Sequence, residues 1–117
     1  MDSKAFKTEV EAMRDLETSY PFKLADMMTA VRKYQNVTPA ALLSQRRKQS
    51  LVTWRWRIIY LASNDLGMSL MQIARLMNRD HTSVHHALQN YDADADIVEL
   101  DRLRFLSKLC AKDRQCA

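Results

Sequence analysis

The sequence has little of what turn-rich or disordered proteins need, with one glycine and two prolines among 117 residues. This scarcity excludes a turn-rich β fold and a low-complexity chain, because tight turns depend on these two residue types. Alanine, leucine, methionine, arginine and lysine, which favour helices, are abundant instead. With 47% hydrophobic residues, we predict an all-α, compact domain of about six to seven helices, with residues 1–117 forming a single domain.

Long hydrophobic runs and targeting signals are also missing. The longest unbroken apolar run, Ile58 to Ala62, is far shorter than a membrane span requires. The polar start of the chain leads into no apolar signal region. The only two cysteines, Cys110 and Cys116, have the spacing of neither a metal site nor a redox pair. We therefore expect a cytoplasmic protein with reduced thiols and no membrane association.

Acidic residues are absent from the middle of the chain, since residues 31–64 contain none. Residues 31–91 carry nine Lys or Arg and two Asp or Glu, a net charge of +7, whereas residues 1–30 and 92–117 carry −2 and −1. This distribution predicts a polyanion-binding surface. Arg46, Arg47 and Lys48 are consecutive cations that repel one another, and bound phosphates would offset that repulsion. The alternative for these three residues is a solvated loop.

Hydrophobic periodicity predicts helices at 4–19, 22–34, 51–66 and 96–110, and a short helix that begins at Pro39 with Thr38 as its cap. The helix at 51–66 is apolar on two faces, which is typical of a central helix. Its Trp54 and Trp56 point about 200° apart on the helical wheel. Arg55 and Arg57 are therefore expected to emerge between the apolar stripes, at the basic surface. The tail after residue 110 is expected to fray.

Two short helices with a sharp turn between them follow the central helix. Ser69 and Gln72 form a capping box that starts the first one, with an apolar stripe behind it. Asn78 ends that helix, because asparagine tolerates the left-handed turn conformation. The second helix starts near His81. This pattern predicts a helix-turn-helix, with an ordinary helical hairpin of a bundle as the alternative.

The second of these helices has an unusual outward face. Its inward side is apolar, with Val84, Ala87, Leu88 and Tyr91 at helical spacing. The outward side carries Thr82, His86 and Gln89, with His85 beside them, and no acid. Hydroxyl, imidazole and amide groups are the ones that hydrogen-bond to base edges. The face is therefore typical of a recognition helix.

Three motifs now resemble a known family. They are Val37-Thr38-Pro39-Ala40-Ala41-Leu42-Leu43-Ser44 leading into Gln45-Arg46-Arg47, then Tyr60-Leu61, and then Arg79-Asp80-His81-Thr82-Ser83-Val84 followed by His86-Ala87. With them, residues 24–91 resemble the C-terminal helix-turn-helix domain of the bacterial replication initiator DnaA. The resemblance implies that Asp80, His81, Thr82 and Ser83 contact bases in the major groove. It also implies that Arg47 enters the adjacent minor groove.

The chain departs from the usual pattern of that family at several positions. Ser83 replaces a second threonine, and Asn78 stands in a turn that commonly contains two glycines and is one residue longer. Trp54 stands where the family usually has proline, and Trp56 where it has glutamine. These differences leave the target DNA sequence open. No GxxxxGK[ST] phosphate loop occurs in the sequence, so we expect no nucleotide binding.

We predict a non-enzymatic, nucleoid-associated protein that binds double-stranded DNA with sequence preference and acts by occupying its sites. It would serve as a transcription regulator or a replication-control factor, without cofactor or metal. The alternatives are a protein–protein adaptor and a DNA-binding subunit of a larger nucleoprotein complex. The candidate major-groove residues are Asp80, His81, Thr82, Ser83, His86 and Gln89. The candidate minor-groove or backbone residues are Arg46, Arg47, Lys48, Arg55, Arg57 and Arg79.

The resemblance leaves the two ends of the chain, residues 1–23 and 92–117, without an explanation. Phe105, Leu106 and Leu109 are too many large apolar side chains to leave in water. They must pack either against Phe6, Val10 and Met13 of the same chain or against a second copy. We favour the second copy, which predicts a homodimer through the flanking helices.

Overall fold

The computed structural model describes residues 21–116, which form six α-helices. They are α1 (Leu24–Gln35), α2 (Pro39–Leu43), α3 (Gln49–Asn64), α4 (Leu70–Met77), α5 (His81–Asn90) and α6 (Ile97–Cys116). No strand occurs within this range, and the all-α prediction is confirmed. The helix predicted at 4–19 lies outside the described residues.

The helix starts and stops follow the local sequence signals. The Thr38 hydroxyl accepts a hydrogen bond from the Ala41 N–H at 3.1 Å, with Pro39 opening α2. The reciprocal capping box of Ser69 and Gln72 is present at the start of α4. Asn78 has a φ of 55°, so the left-handed turn predicted there is confirmed. Each of these features depends on neighbouring residues only, which is why the sequence could predict them.

The centre of the fold is α3, which contacts each of the other five helices. Its Ile58 and Leu61 are fully buried. The large side chains packed into the same core, all fully buried, are Met27, Val31, Leu42, Ile73, Met77, Val84 and Leu100. The prediction of a central helix is therefore confirmed, and α3 is the scaffold on which α4 and α5 are mounted.

The last helix is longer than the sequence predicted. α6 continues to Cys116, so the expectation of a fraying tail after residue 110 is wrong. The cause is a buried acid on α1: Asp26 accepts bonds from Arg114 Nη2 at 2.9 Å and from the Lys23 N–H at 2.8 Å. Burial alone would raise the pKa of Asp26, but these bonds outweigh it and hold the pKa below its usual value. The ion pair gives the end of α6 a fixed partner.

The apolar side of α6 packs against α1 of the same chain, a partner that the sequence analysis did not consider. Leu100, Leu103 and Cys110 are buried there, and Phe105 and Leu109 are half-buried. Although α6 has 20 residues, no helix among residues 21–116 is both long and apolar enough to cross a membrane. The C-terminal flank is thus a core helix of the described structure, and the homodimer stays a prediction.

Leu100→Ala tests whether α6 belongs to the core. Leu100 is 0% exposed, so its truncation should lower the free energy of unfolding by about 2–5 kcal/mol. Val98→Ala, two residues earlier on the same helix, is the matched control because Val98 is 74% exposed, and it should change stability by about 0.5 kcal/mol or less. Urea denaturation measures both. Equal small effects would mean that α6 is peripheral to folding.

Candidate nucleic-acid interface

The outward face of α5 is as the helical wheel predicted. His81, Thr82 and Ser83 in its first turn are exposed, as are His85, His86 and Gln89 further along. On the other side, Val84 and Ala87 are buried in the core. The exposed groups are imidazoles, hydroxyls and an amide on a helix whose inner face is firmly packed. Side chains held in this way can meet a ligand surface without reorganising the helix.

Asp80 has a structural role that the sequence analysis missed. It is the N-cap of α5, where its Oδ1 accepts a hydrogen bond from the Ser83 N–H at 2.8 Å. Bonds from Ser83 hold the pKa of this exposed carboxyl below its usual value. The N-terminal N–H groups of a helix favour a negative charge in this position. Asp80 therefore fixes the start of the helix on which His81, Thr82 and Ser83 are presented.

The segment between α2 and α3 contains residues 45–48, which we call the basic loop. Its Arg46, Arg47 and Lys48 are all exposed. Within residues 21–116, none of the three forms an ion pair. Three adjacent cations without an acid leave a concentrated positive charge at the surface.

Hydrogen bonds attach the basic loop to the turn of the helix-turn-helix. Asn78 Nδ2 donates to the Leu43 carbonyl at 3.2 Å, and Gln45 Nε2 donates back to the Asn78 carbonyl at 3.5 Å. The Arg79 guanidinium donates to the Ser44 carbonyl. Burial and the nearby charge of Arg47 lower the pKa of Arg79. The loop and α5 are thus held in a defined relative position, although more than thirty residues separate them in sequence.

The prediction that Arg55 lies at the basic surface is wrong. Arg55 is 5% exposed, and its Nε donates to the Leu42 carbonyl at 2.7 Å while its Nη2 donates to the Ala41 and Ser44 carbonyls at 3.0 and 2.9 Å. Nη1 donates to the carbonyl of Arg46 in the basic loop. The last carbonyls of a helix have no partner within it and favour a cation, so Arg55 caps α2 from the side.

Arg57 is also misplaced by the sequence prediction. Its Nε and Nη2 bind Asp96 at 2.7 and 3.1 Å, and its guanidinium lies over the Trp54 ring, 4.4 Å from the centroid. The Tyr91 hydroxyl donates to the same carboxylate at 2.5 Å. The bond from Arg57 is the main cause that lowers the pKa of Asp96, whereas burial raises the pKa of Tyr91. Arg57 thus joins α3 to the start of α6 and adds no free charge to the surface.

An open groove of about 560 Å³ separates the basic loop from α5. Its floor is a stripe of α3, formed by Val52, Trp56 and Ile59. The residues that line its sides and ends are Gln45, Arg46, Arg47, Arg55, Arg79, Asp80, Thr82, Ser83 and His86. Four of the candidate site residues do not line it: Lys48, Arg57, His81 and Gln89. In the sequence, this stripe is recognisable only as an apolar face of the helix. The spacing of its residues does not show that Val52 and Trp56 stay partly uncovered in the fold.

Two short helices joined by a tight turn, with an exposed polar face beside a cationic loop, define a helix-turn-helix domain of the DNA-binding class. The sequence model of the bacterial DnaA helix-turn-helix matches residues 24–90. The chain belongs to this family. The resemblance read from the motifs is therefore confirmed.

Curated relatives of the chain are chromosomal replication initiator proteins DnaA. The protein of Xanthobacter autotrophicus is 37% identical over 90 residues, which are 74% of this chain and 18% of that protein. Those of a Bradyrhizobium species and of Brucella abortus are 38% and 32% identical, over 61% and 74% of this chain and over 15% and 18% of their own lengths. The chain thus spans less than a fifth of these relatives. No solved structure matches it significantly.

Arg55→Lys distinguishes a structural arginine from a DNA contact. Lysine cannot reach the carbonyls of both α2 and the basic loop, so we expect a loss of about 2 kcal/mol in the free energy of unfolding. Arg46→Lys is the matched control and should leave stability unchanged, because Arg46 is exposed. Urea denaturation without DNA measures both. If the Arg55→Lys protein had normal stability but bound DNA weakly, Arg55 would be a direct DNA contact after all.

Proposed function

We propose that the chain binds duplex DNA with sequence preference and acts by occupying its sites, as a replication-control factor at initiator-type DNA sequences. The observation that carries this proposal is the pairing of an exposed, acid-free face of α5 with the basic loop across one open groove. An α-helix fits the major groove of B-form DNA, and cations placed beside it can meet the flanking phosphates.

The first turn of α5 is suited to reading base edges. The methyl group of Thr82 can contact the methyl of thymine, and the His81 imidazole can hydrogen-bond to a base. Asp80 can accept from a cytosine amine with the oxygen that does not cap the helix. His86 and Gln89 lie further along the same exposed face. We therefore assign base recognition to the first turn and supporting contacts to the later residues.

The basic loop is suited to the sugar–phosphate backbone and to the minor groove. Arg47 is exposed and lines the groove, whereas Lys48 is exposed but does not line it. A narrow minor groove of A·T-rich DNA has an enhanced negative potential that attracts arginine. We assign Arg47 to the minor groove beside the site read by α5, and Arg46 and Lys48 to phosphates.

Replication control is favoured over transcription regulation because the relatives named above are chromosomal replication initiators. Occupancy of a shared site would let this chain compete with an initiator. The alternatives are a DNA-binding subunit of a larger nucleoprotein complex and a protein–protein adaptor. A cytoplasmic, nucleoid-associated location follows from this function. A homodimer would bind paired DNA half-sites about one helical turn apart. Measurement of the mass of the protein in solution tests whether it is a dimer.

Selection of bound duplexes from a random pool, followed by sequencing, tests the function. We expect an enriched sequence, and binding to it that weakens steeply with salt. If about six phosphates are neutralised, log K should fall with log[salt] with a slope of about −5. An adaptor would instead enrich no sequence and bind no duplex at low salt.

Thr82→Ala separates base reading from folding. It should cost about 1–3 kcal/mol of binding on the selected sequence and much less on random DNA, with stability unchanged, because Thr82 is exposed. Val84→Ala, two residues later, is the reciprocal control. Val84 is 0% exposed, so its truncation should destabilise the fold by about 1–2 kcal/mol and leave base preference intact. Unfolding of the Thr82→Ala protein would contradict the assignment of the two helix faces.

Arg47→Ala and Lys48→Ala form a matched pair of neighbouring cations. Loss of Arg47 should weaken binding and relax preference at an A·T-rich edge of the site. Loss of Lys48 should weaken all duplexes by a similar factor and reduce the salt slope by about one. Repeating the selection with each variant measures both effects. Identical behaviour of the two variants on every duplex would exclude the minor-groove role of Arg47.

A further inference from the structure

Trp56 lines the groove together with residues of the basic loop and of the first turns of α5. Its ring is half-buried and lies against two other rings. The centroid of His86 lies 6.0 Å away and that of Tyr91 6.4 Å away, both in edge-on contact. The indole is therefore fixed before any ligand arrives, and a contact to it would cost little side-chain entropy.

The indole N–H of Trp56 is available as a donor. No residue among 21–116 accepts a hydrogen bond from it. Every buried side-chain nitrogen of the described residues has a hydrogen-bond partner, so a nitrogen without one is not buried. The N–H therefore reaches solvent. A neighbouring donor group, the guanidinium of Arg55, is already committed to main-chain carbonyls. Trp56 is the floor residue with both an apolar ring and a free donor.

The geometry of a duplex determines what can occupy this groove. When a helix lies in the major groove, the ridge beside it is a sugar–phosphate backbone, because each groove is bordered by the two strands. The groove runs beside α5, and Arg46, Arg47 and Arg79 line it. Their guanidiniums make this wall positive and can donate to phosphate oxygens. An apolar floor beneath a cationic wall matches a deoxyribose with its phosphate.

We propose that Trp56 contacts the sugar–phosphate backbone of one DNA strand, its N–H donating to a phosphate oxygen and its ring packing against the deoxyribose. This assignment rests on the proposed function and deepens it. The contact carries no base preference, since phosphate contacts set position and orientation. It places the strand between the basic loop and α5, so that both can engage the duplex at once.

Trp56→Phe keeps an aromatic ring and removes the N–H. We expect its Kd to rise by about tenfold both on the selected duplex and on a scrambled one, since a charged acceptor loses its donor. Trp54→Phe is the matched control on the same helix. Trp54 does not line the groove and its ring carries Arg57, so DNA affinity should not change. Thermal unfolding of both variants checks that each is folded at the temperature at which DNA binding is measured.

Replacement of single phosphates by neutral methylphosphonates locates the contact. The wild-type protein should lose affinity at one phosphate next to the bases read by α5, and Trp56→Phe should be insensitive at that phosphate while keeping the other sensitivities. The single-tryptophan proteins supply a second readout. Fluorescence of Trp56 in the Trp54→Phe protein should change when DNA binds, and that of Trp54 in the Trp56→Phe protein should not.

Three results would overturn the contact while the proposed function stands. The first is a Trp56→Phe protein that binds DNA with wild-type affinity. The second is a loss of affinity confined to the selected sequence, which would make Trp56 a base reader. The third is a Trp56→Phe protein that is as sensitive to every methylphosphonate as the wild type. A wild-type chain that binds no duplex at low salt would instead refute the proposed function itself. The two failures are therefore distinguishable.

Discussion

The guanidinium of Arg55, on α3, lies where α2 ends and the basic loop begins. It donates to the main-chain carbonyls of Ala41, Leu42, Ser44 and Arg46. The Ser44 carbonyl is shared with Arg79 from the turn of the helix-turn-helix. Burial of a cation costs free energy because the charge loses its hydration. Carbonyls at the end of a helix offset this cost through their partial negative charge. The relative position of the basic loop and α5, and hence the groove, depends on this cluster.

Some arginines of the fold are neutralised by acids, and others are not. Arg57, Arg104 and Arg114 are paired with Asp96, Asp65 and Asp26, and each of these pairs joins α6 or its approach to another part of the chain. The arginines of the basic loop have no such partner among residues 21–116. Charge that is neutralised within the fold cannot attract a polyanion over distance, whereas exposed and unpaired charge can. The surface that carries unpaired positive charge is therefore smaller than the excess of Lys and Arg over residues 31–91 suggests.

The family match and the departures from the family's usual pattern fall in the same part of the chain. The family match covers α1 to α5, which contain all the candidate DNA-binding residues. α6 lies beyond the match, and it packs on α1, away from the α5 face. Trp56, one of the departures, lies in the floor of the groove, and the Trp54 ring carries Arg57. Of these departures, Ser83 and Trp56 thus line the groove, whereas Trp54 packs against Arg57 outside it.

The sequence by itself determined what depends on neighbouring residues: the all-α class, the caps at Thr38 and Ser69, the left-handed turn at Asn78 and the two faces of α5. Helical periodicity and capping act over three or four residues, so they can be read directly. Only the tertiary structure decided which arginines are free. Arg55 and Arg57 look like surface cations in sequence, but their partners are brought to them by the packing of α2 and α6 on α3. Whether another element covers a side chain depends on how the whole chain packs, and a local sequence pattern contains no information about that packing.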